Sequence, residues 1–413
     1  MQKTIILFII LLSMSLAFAQ ELYVLNSGSQ TLSHIQIENL SVVNNFAQIG
    51  LYGNHLALYE KRLYVVNSGD NNVQIIGLDG VTQGFVNLEN SSNPWHIKIH
   101  NGFAYVTGLF TGKLYRIDLE HTSNITELFI GTSPQGMLVY EDKMYVALTG
   151  VNYPIYGQGQ VSIIDLNTFS IIETIDVETN PQELIVDDSG FVHIVCSGDY
   201  DEKMTKVVIL DSERLETVKI IDFDWSFFTT IQLGADGLVY IGNAFGLGFA
   251  AYDPITFEII YGYGNTVFSG GQNMLYDSEY IYVLEPDWWG NSLLNIYTHD
   301  HELYQKLNLG IGSVAMVLKE KPVSNSDIAL PKDFEVLAYP NPFFSSVSFE
   351  IRGTNKEPHI EIFNVRGQKI ATFKGLVWNG KDMNDRDMPA GIYFVRVSNE
   401  ENMVVKRILR IKS

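Results

Sequence analysis

Short segments in which apolar and polar residues alternate, such as NVQIIGLD and QVSIIDL, recur along most of the chain between Gly and Asn turns, the pattern of half-buried strands. One phrase marks their rhythm. LYVLNSG at residues 22–28 returns as LYVVNSG at 63–69, then in weaker form as FAYVTG, KMYVALTG, FVHIVCSG, LVYIGN and YIYVLE. The anchors Tyr23, Tyr64, Tyr105, Tyr145, His193, Tyr240 and Tyr282 are separated by 41, 41, 40, 48, 47 and 42 residues. A four-stranded propeller blade repeats every ~40 to 45 residues. Seven anchors therefore predict seven blades.

A short apolar segment precedes every anchor but the first: HLALYE, HIKIH, GMLVYE, ELIVD, TIQLGA and NMLYD. One more, VAMVL at 314–318, has no anchor after it. The two incomplete halves match, so the last inner strand is expected to join the N-terminal strands in a composite blade that leaves no open sheet edge. The predicted fold is all-β, a seven-bladed β-propeller over residues 20–320. YVLN, YVVN and YVTG, together with IIDL and the pairs Asn93-Pro94 and Asn180-Pro181, resemble the YVTN family of seven-bladed propellers. That resemblance implies the fold; propellers host binders and enzymes alike.

After Leu318 the stretch KEKPVSNSDIALPKD is polar with two prolines, which predicts a linker over 321–333. A second domain, 334–413, follows as short alternating strands and turns that suit a small Ig-like β-sandwich. Its ordered motifs are Tyr339, Pro340, Asn341 and Pro342; Gly367; Trp378, Gly380 and Asp382; Gly391, Ile392 and Tyr393; and a basic end from Lys406 and Arg407 to Lys412. These resemble the type IX secretion sorting domain of Bacteroidota and related Gram-negative bacteria. The resemblance implies recognition by the type IX machinery and export through the periplasm to the outside or the outer cell surface. Asp385 stands where that pattern has a further glycine, and Asp tolerates the left-handed conformation such a turn needs.

Composition agrees and narrows the partners. The N-terminal residues 1–19 read as a secretory signal peptide, with Lys3, an apolar run and Ala17-Phe18-Ala19. No later segment is apolar enough to span a membrane, so none is expected in the mature chain. Cys196 is the single cysteine, so stability must come from a large core, in which it is expected to pack. The net charge of −20 argues against nucleic acid and anionic lipid. It is unevenly shared: residues 1–333 hold 15 Lys and Arg against 38 Asp and Glu, whereas 334–413 hold 12 against 9, which marks the same boundary.

Candidate chemistry lies where inner strands begin. Counting back from the aligned segments places Asn54, Trp95, Gln135, Gln182, Thr229, Gln272 and Ser313 in one ring at the channel mouth. His55, His96, Gly136, Glu183, Thr230, Asn273 and Val314 form the next ring. Imidazole and carboxylate suit both metal ligation and proton transfer, so His55, His96 and Glu183 are the candidate metal ligands or acid-base groups of an enzyme; in a binder the polar collar simply hydrogen-bonds water. Tyr153 and Tyr156, Tyr200, Trp225 and the pair Trp288 and Trp289 add aromatic surface suited to sugar rings or protein contacts. No cofactor or metal is expected; Gly69–Asn72 and Gly198–Glu202 carry oxygen ligands but lack the spacing of a complete calcium loop. Nor does the sequence contain GxSxG, HExxH or a P-loop. The leading expectation is an exported propeller that binds a glycan, peptide or protein through one face. The alternatives are a lactonase-like hydrolase or lyase working at the mouth, and a structural surface-layer component.

Overall fold

The computed structural model describes residues 20–152, 155–243, 247–271, 273–319, 335–352, 358–364, 368–398 and 403–411. The expected signal peptide and linker, with Tyr153, Gln272, Gly367 and Lys412, lie outside the described residues. Seven four-stranded antiparallel sheets follow one another around a ring. Their innermost strands are Ser313–Lys319, Gly53–Tyr59, Pro94–His100, Pro134–Tyr140, Pro181–Val186, Phe228–Leu233 and Asn273–Tyr276, and each touches the next until the last meets the first. We number the blades 1 to 7 in that order. Blade 1 is composite: Ser313–Lys319 pairs antiparallel with Glu21–Asn26, as the offset repeats predicted.

Burial follows from stacking. Second and third strands such as Arg62–Asn67 and Asn72–Gly77 are buried on both faces, because neighbouring blades cover each side. Outermost strands such as Ser170–Val177 are mostly exposed. Each blade interface has its own apolar cluster, for example Tyr64 and Val66 of blade 2 against Ile97 and Val106 of blade 3. Cys196 packs in the cluster between blades 4 and 5, and burial pushes its thiol pKa far up. It is a core residue.

The repeated phrase serves this architecture. Asn67 is fully buried and its amide donates to Asn72 Oδ1 at 2.9 Å and Gln74 Oε1 at 3.2 Å, holding the turn between strands. The Ser68 hydroxyl reaches the Pro94 carbonyl oxygen, the start of the next blade's inner strand. Thr107 does the same to Gln135 at 3.0 Å. Anchor tips meet carboxylates in the turn before them: Tyr240 donates to Asp236 at 2.8 Å and Tyr282 to Asp277 at 2.6 Å. His193 keeps this arrangement with imidazole in place of phenol, its Nε2 3.2 Å from Asp187 Oδ2 and its Nδ1 2.7 Å from the Tyr252 hydroxyl. At the seam, Lys319 Nζ lies 2.7 Å from Glu21 Oε1 and the Ser313 hydroxyl donates to Asn26 Oδ1 at 2.7 Å.

Residues 335–411 form a sandwich of a three-stranded sheet (Glu335–Tyr339, Val347–Arg352, Val377–Trp378) on a four-stranded one (Lys369–Phe373, His359–Asn364, Gly391–Ser398, Met403–Arg410). Trp378 and Tyr393 meet edge to face in its core, with ring centres 5.0 Å apart. The motif residues have structural tasks. Asn341 accepts from the Leu409 amide at 2.7 Å and donates to the Arg407 carbonyl at 3.1 Å, tying its loop to the last strand. A Cβ on Gly380, at φ +72°, would stand 2.7 Å from the Arg410 guanidinium carbon, and the Nη1 of that guanidinium donates to the Gly380 carbonyl. Asp385 adopts φ +61°, the left-handed turn expected of the residue in the glycine's place.

The sandwich docks on the propeller. Phe363, Ile392 and Phe394 join a cluster with Phe191 and Val239 of blades 5 and 6. Around that contact Arg396 pairs with Asp253 at 2.8 Å, and Arg407 with Asp211 at 3.5 Å and with Glu213. Two of the basic residues that set this domain apart in charge thus neutralise acids of the propeller.

Candidate functional site

Because inner strands are pleated, alternate residues face the channel. A bulge at the start of six of the seven inner strands, as between Gly53 and His55 or Pro94 and Ile97, turns adjacent residues toward the mouth; the described part of the seventh, Asn273–Tyr276, pairs in unbroken register. The result is a channel cavity of about 680 Å³ lined by both expected rings: Asn54, Trp95, Gln135, Gln182 and Thr229 above, His55, His96, Glu183, Thr230, Asn273 and Val314 below. Ser313 departs from the expectation. It is fully buried and spends its hydroxyl on Asn26, so it closes the ring instead of lining the mouth.

His55 and His96 stack with ring centres 3.7 Å apart, and His96 Nε2 lies 3.6 Å from Glu183 Oε1. That gap is too long for a direct hydrogen bond and suits a bridging water or ligand oxygen. The Nδ1 atoms of both histidines have no hydrogen-bond partner among the described residues. Burial pushes the His55 pKa down to about 3, assisted by the charge of Lys98. His96 is held well below its ordinary 6.5 by burial, then by His55 and Lys98. Burial raises the Glu183 carboxyl to about 8 against the opposing pull of Lys98. Near neutral pH the trio is therefore two neutral imidazoles and a protonated acid.

Lys98 escaped the sequence reading, although HIKIH contains it two residues after His96 on the same strand face. Its equivalents on the other inner strands are Ala57, Leu138, Ile185, Gln232, Leu275 and Met316. One cation stands in an otherwise uncharged ring.

A second cavity, of about 840 Å³, lies over blades 3 to 5 on the same face, lined by Phe110, Phe129, Tyr156, Asn180 and Tyr200. It shares Trp95, Gln135 and Gln182 with the channel cavity, so groove and channel are continuous. Phe110, in the turn after Phe103–Gly108, and Phe129, at the end of Ile125–Phe129, are 69% and 66% exposed and were not singled out from sequence. Tyr200 stacks on Phe227 at 5.2 Å and meets Tyr156 edge to face. Trp288 lines the channel on the opposite side, while Trp289 is 98% exposed above it and Trp225 packs against the core between blades 5 and 6.

The two acidic loops spend carboxylates on backbone amides. Asp70 accepts from the Leu51 amide at 2.8 Å, and Asp199 from the amides of Asp201 and Lys203. Among the described residues no group of three His, Cys, Asp or Glu side chains is placed to hold a metal.

Fold and tail together define an exported β-propeller with a C-terminal delivery module. Residues 337–412 match the secretion system C-terminal sorting domain family, which accounts for the motifs from Leu337 onward and places the chain among substrates of the type IX machinery, secreted or held at the bacterial cell surface. No helix among the described residues is long and apolar enough to cross a membrane. The chain matches none of the curated proteins in sequence. In shape it is similar to apo AztD from Citrobacter koseri, at 10% identity and TM-score 0.49, over 74% of this chain and 98% of that one. It is also similar to virginiamycin B lyase from Staphylococcus aureus, at 12% identity and TM-score 0.47, over 72% and 91%. A streptogramin B lyase is similar at 12% identity and TM-score 0.49, over 71% and 88%. These likenesses concern the fold alone.

Proposed function

We propose that the exported propeller binds a glycan in the groove over blades 3 to 5, with one end of the ligand entering the channel. The observation that carries this reading is the continuity of the groove with the channel through Trp95, Gln135 and Gln182. Exposed aromatic faces offer apolar contact to sugar rings, and the amides of Gln135 and Gln182 offer donors and acceptors for hydroxyls, with Gln182 held in place by the buried Asn180. A glycan array on the full chain tests it. Binding that Trp95→Ala weakens at least tenfold supports the reading, and no binding to any glycan removes it.

The approach of His96 to Glu183 favours a second reading, a lyase or hydrolase at the same mouth. A neutral imidazole can accept a proton while a protonated carboxyl donates one to a leaving oxygen. Under this reading bound glycans are cleaved at neutral pH, and His96→Gln abolishes cleavage while leaving binding intact.

A further inference from the structure

Lys98 is the feature that a neutral ligand leaves unexplained. It lines the channel cavity one layer below His55, His96 and Glu183, and has no ion pair or hydrogen bond among the described residues. Its ring also holds the apolar Leu138, Ile185, Leu275 and Met316 and the uncharged polar Gln232. Lys98 is solvent-exposed within the channel, so an anion that enters meets its charge without displacing a protein partner. Glu183 does not supply that partner near neutral pH, because burial keeps it protonated. In that form it can donate a hydrogen bond to an incoming anion instead of repelling it.

The chain's own charge limits what that anion can be. The net charge is −20, and the Lys and Arg of residues 1–333 are outnumbered by Asp and Glu, 15 to 38. A polyanion would be opposed by that net charge, find no cation along the groove and find one in the channel. An isolated carboxylate on an otherwise neutral ligand meets the single lysine without that cost. Aromatic and amide groups lining the approach fit sugar rings better than an acidic peptide, whose further charges would find no partner there.

We propose that the ligand end that enters the channel is a uronic acid, whose carboxylate pairs with Lys98 Nζ. This rests on the glycan reading above. The test uses the full chain and calorimetric titration with four probes: a neutral hexose tetrasaccharide, the same oligomer capped by glucuronic acid, tetragalacturonate, and tetra-aspartate. The capped oligomer is expected to bind at least tenfold tighter than its neutral parent and tighter than tetragalacturonate. Lys98→Met should erase the preference while leaving the affinity for the neutral parent unchanged, and Lys98→Arg should keep most of it. Equal affinity for capped and neutral oligomers, or an equal loss of both in Lys98→Met, overturns the uronate proposal and leaves glycan binding standing. Tight tetra-aspartate binding that depends on Lys98 replaces the uronate by an acidic peptide. Failure of every saccharide to bind overturns the glycan reading and this proposal with it. Matching near-ultraviolet circular dichroism and melting temperature in the variants ties each loss to the site.

Discussion

Gly136 and Glu183 share one space: a Cβ on Gly136 would lie 2.7 Å from Glu183 Oε2 and press on the Gln182 carbonyl. Gly136 holds the ring position that His55, His96 and Glu183 fill elsewhere, so its missing side chain is what lets the carboxylate lean toward His96. Gly136→Ala is expected to cost about 1–3 kcal/mol by overpacking and to push Glu183 outward. Its carboxyl pKa, followed by carbon-13 NMR, should fall from about 8 toward the ordinary range. An unchanged Glu183 titration in this variant would show that the gap does not position it.

The same trio shapes stability against pH. For His55 and His96 the folded pKa lies below the unfolded value near 6.5, so their contribution is present above that value and is lost as pH falls through it. Glu183 has the opposite sign: with a folded pKa of about 8 against 4.5 unfolded, the chain loses stability as pH rises from 4.5 to 8. Between 4.5 and 6.5 two histidines outweigh one carboxyl, and above 6.5 the carboxyl acts alone. These groups therefore predict a stability maximum near pH 6.5. Urea denaturation across pH checks it: Glu183→Gln should flatten the alkaline limb, and His55→Gln should make the acid limb less steep.

Asp187 supports the one anchor that is a histidine. Asp187→Ala leaves His193 Nε2 without its carboxylate in a fully buried setting, and is expected to cost about 1–3 kcal/mol. Asp79→Ala, in an exposed turn of blade 2 where the carboxylate caps the Val81 amide, should cost less than about 1 kcal/mol. Equal midpoint shifts for the two in thermal unfolding would contradict the assignment.

The docked sandwich leads to a test by shape. Replacing both Arg396 and Arg407 by Ala leaves Asp253 and Asp211 without their partners across the contact. Small-angle scattering of the double variant should show a larger radius of gyration than the wild type, while the circular dichroism of each domain is retained. An unchanged radius would mean that the apolar contact of Phe394 with Phe191 suffices by itself.

Much of this architecture was legible because buried anchors repeat. Tyr23, Tyr64 and Tyr145 are buried tips on second strands, and packing between blades admits little variation there. Even the seam could be read, since VAMVL lacks an anchor and Tyr23 lacks an inner strand. The mouth was legible in part, for pleating projects equivalent residues of every inner strand to one level. Lys98 was missed because alternation in HIKIH reads equally as a solvated outer face or a wet channel. Phe110 sits in the turn after Phe103–Gly108 and Phe129 ends the outermost strand of the same blade, and only the closed ring brings them beside Tyr156 and Tyr200. Domain docking was invisible, as Arg396 and Asp253 are 143 residues apart and carry no local pattern.

Strand direction at the seam has a consequence for orientation. Ser313–Lys319 runs from the mouth toward the far side of the ring, where Lys319 meets Glu21, so the chain leaves the propeller on the side opposite the groove. The sandwich contacts that same side, through Phe191, Asp211 and Asp253 at the far ends of their strands. A molecule held to a cell through its C-terminal end would stand with its aromatic groove turned outward, like a dish on a mast.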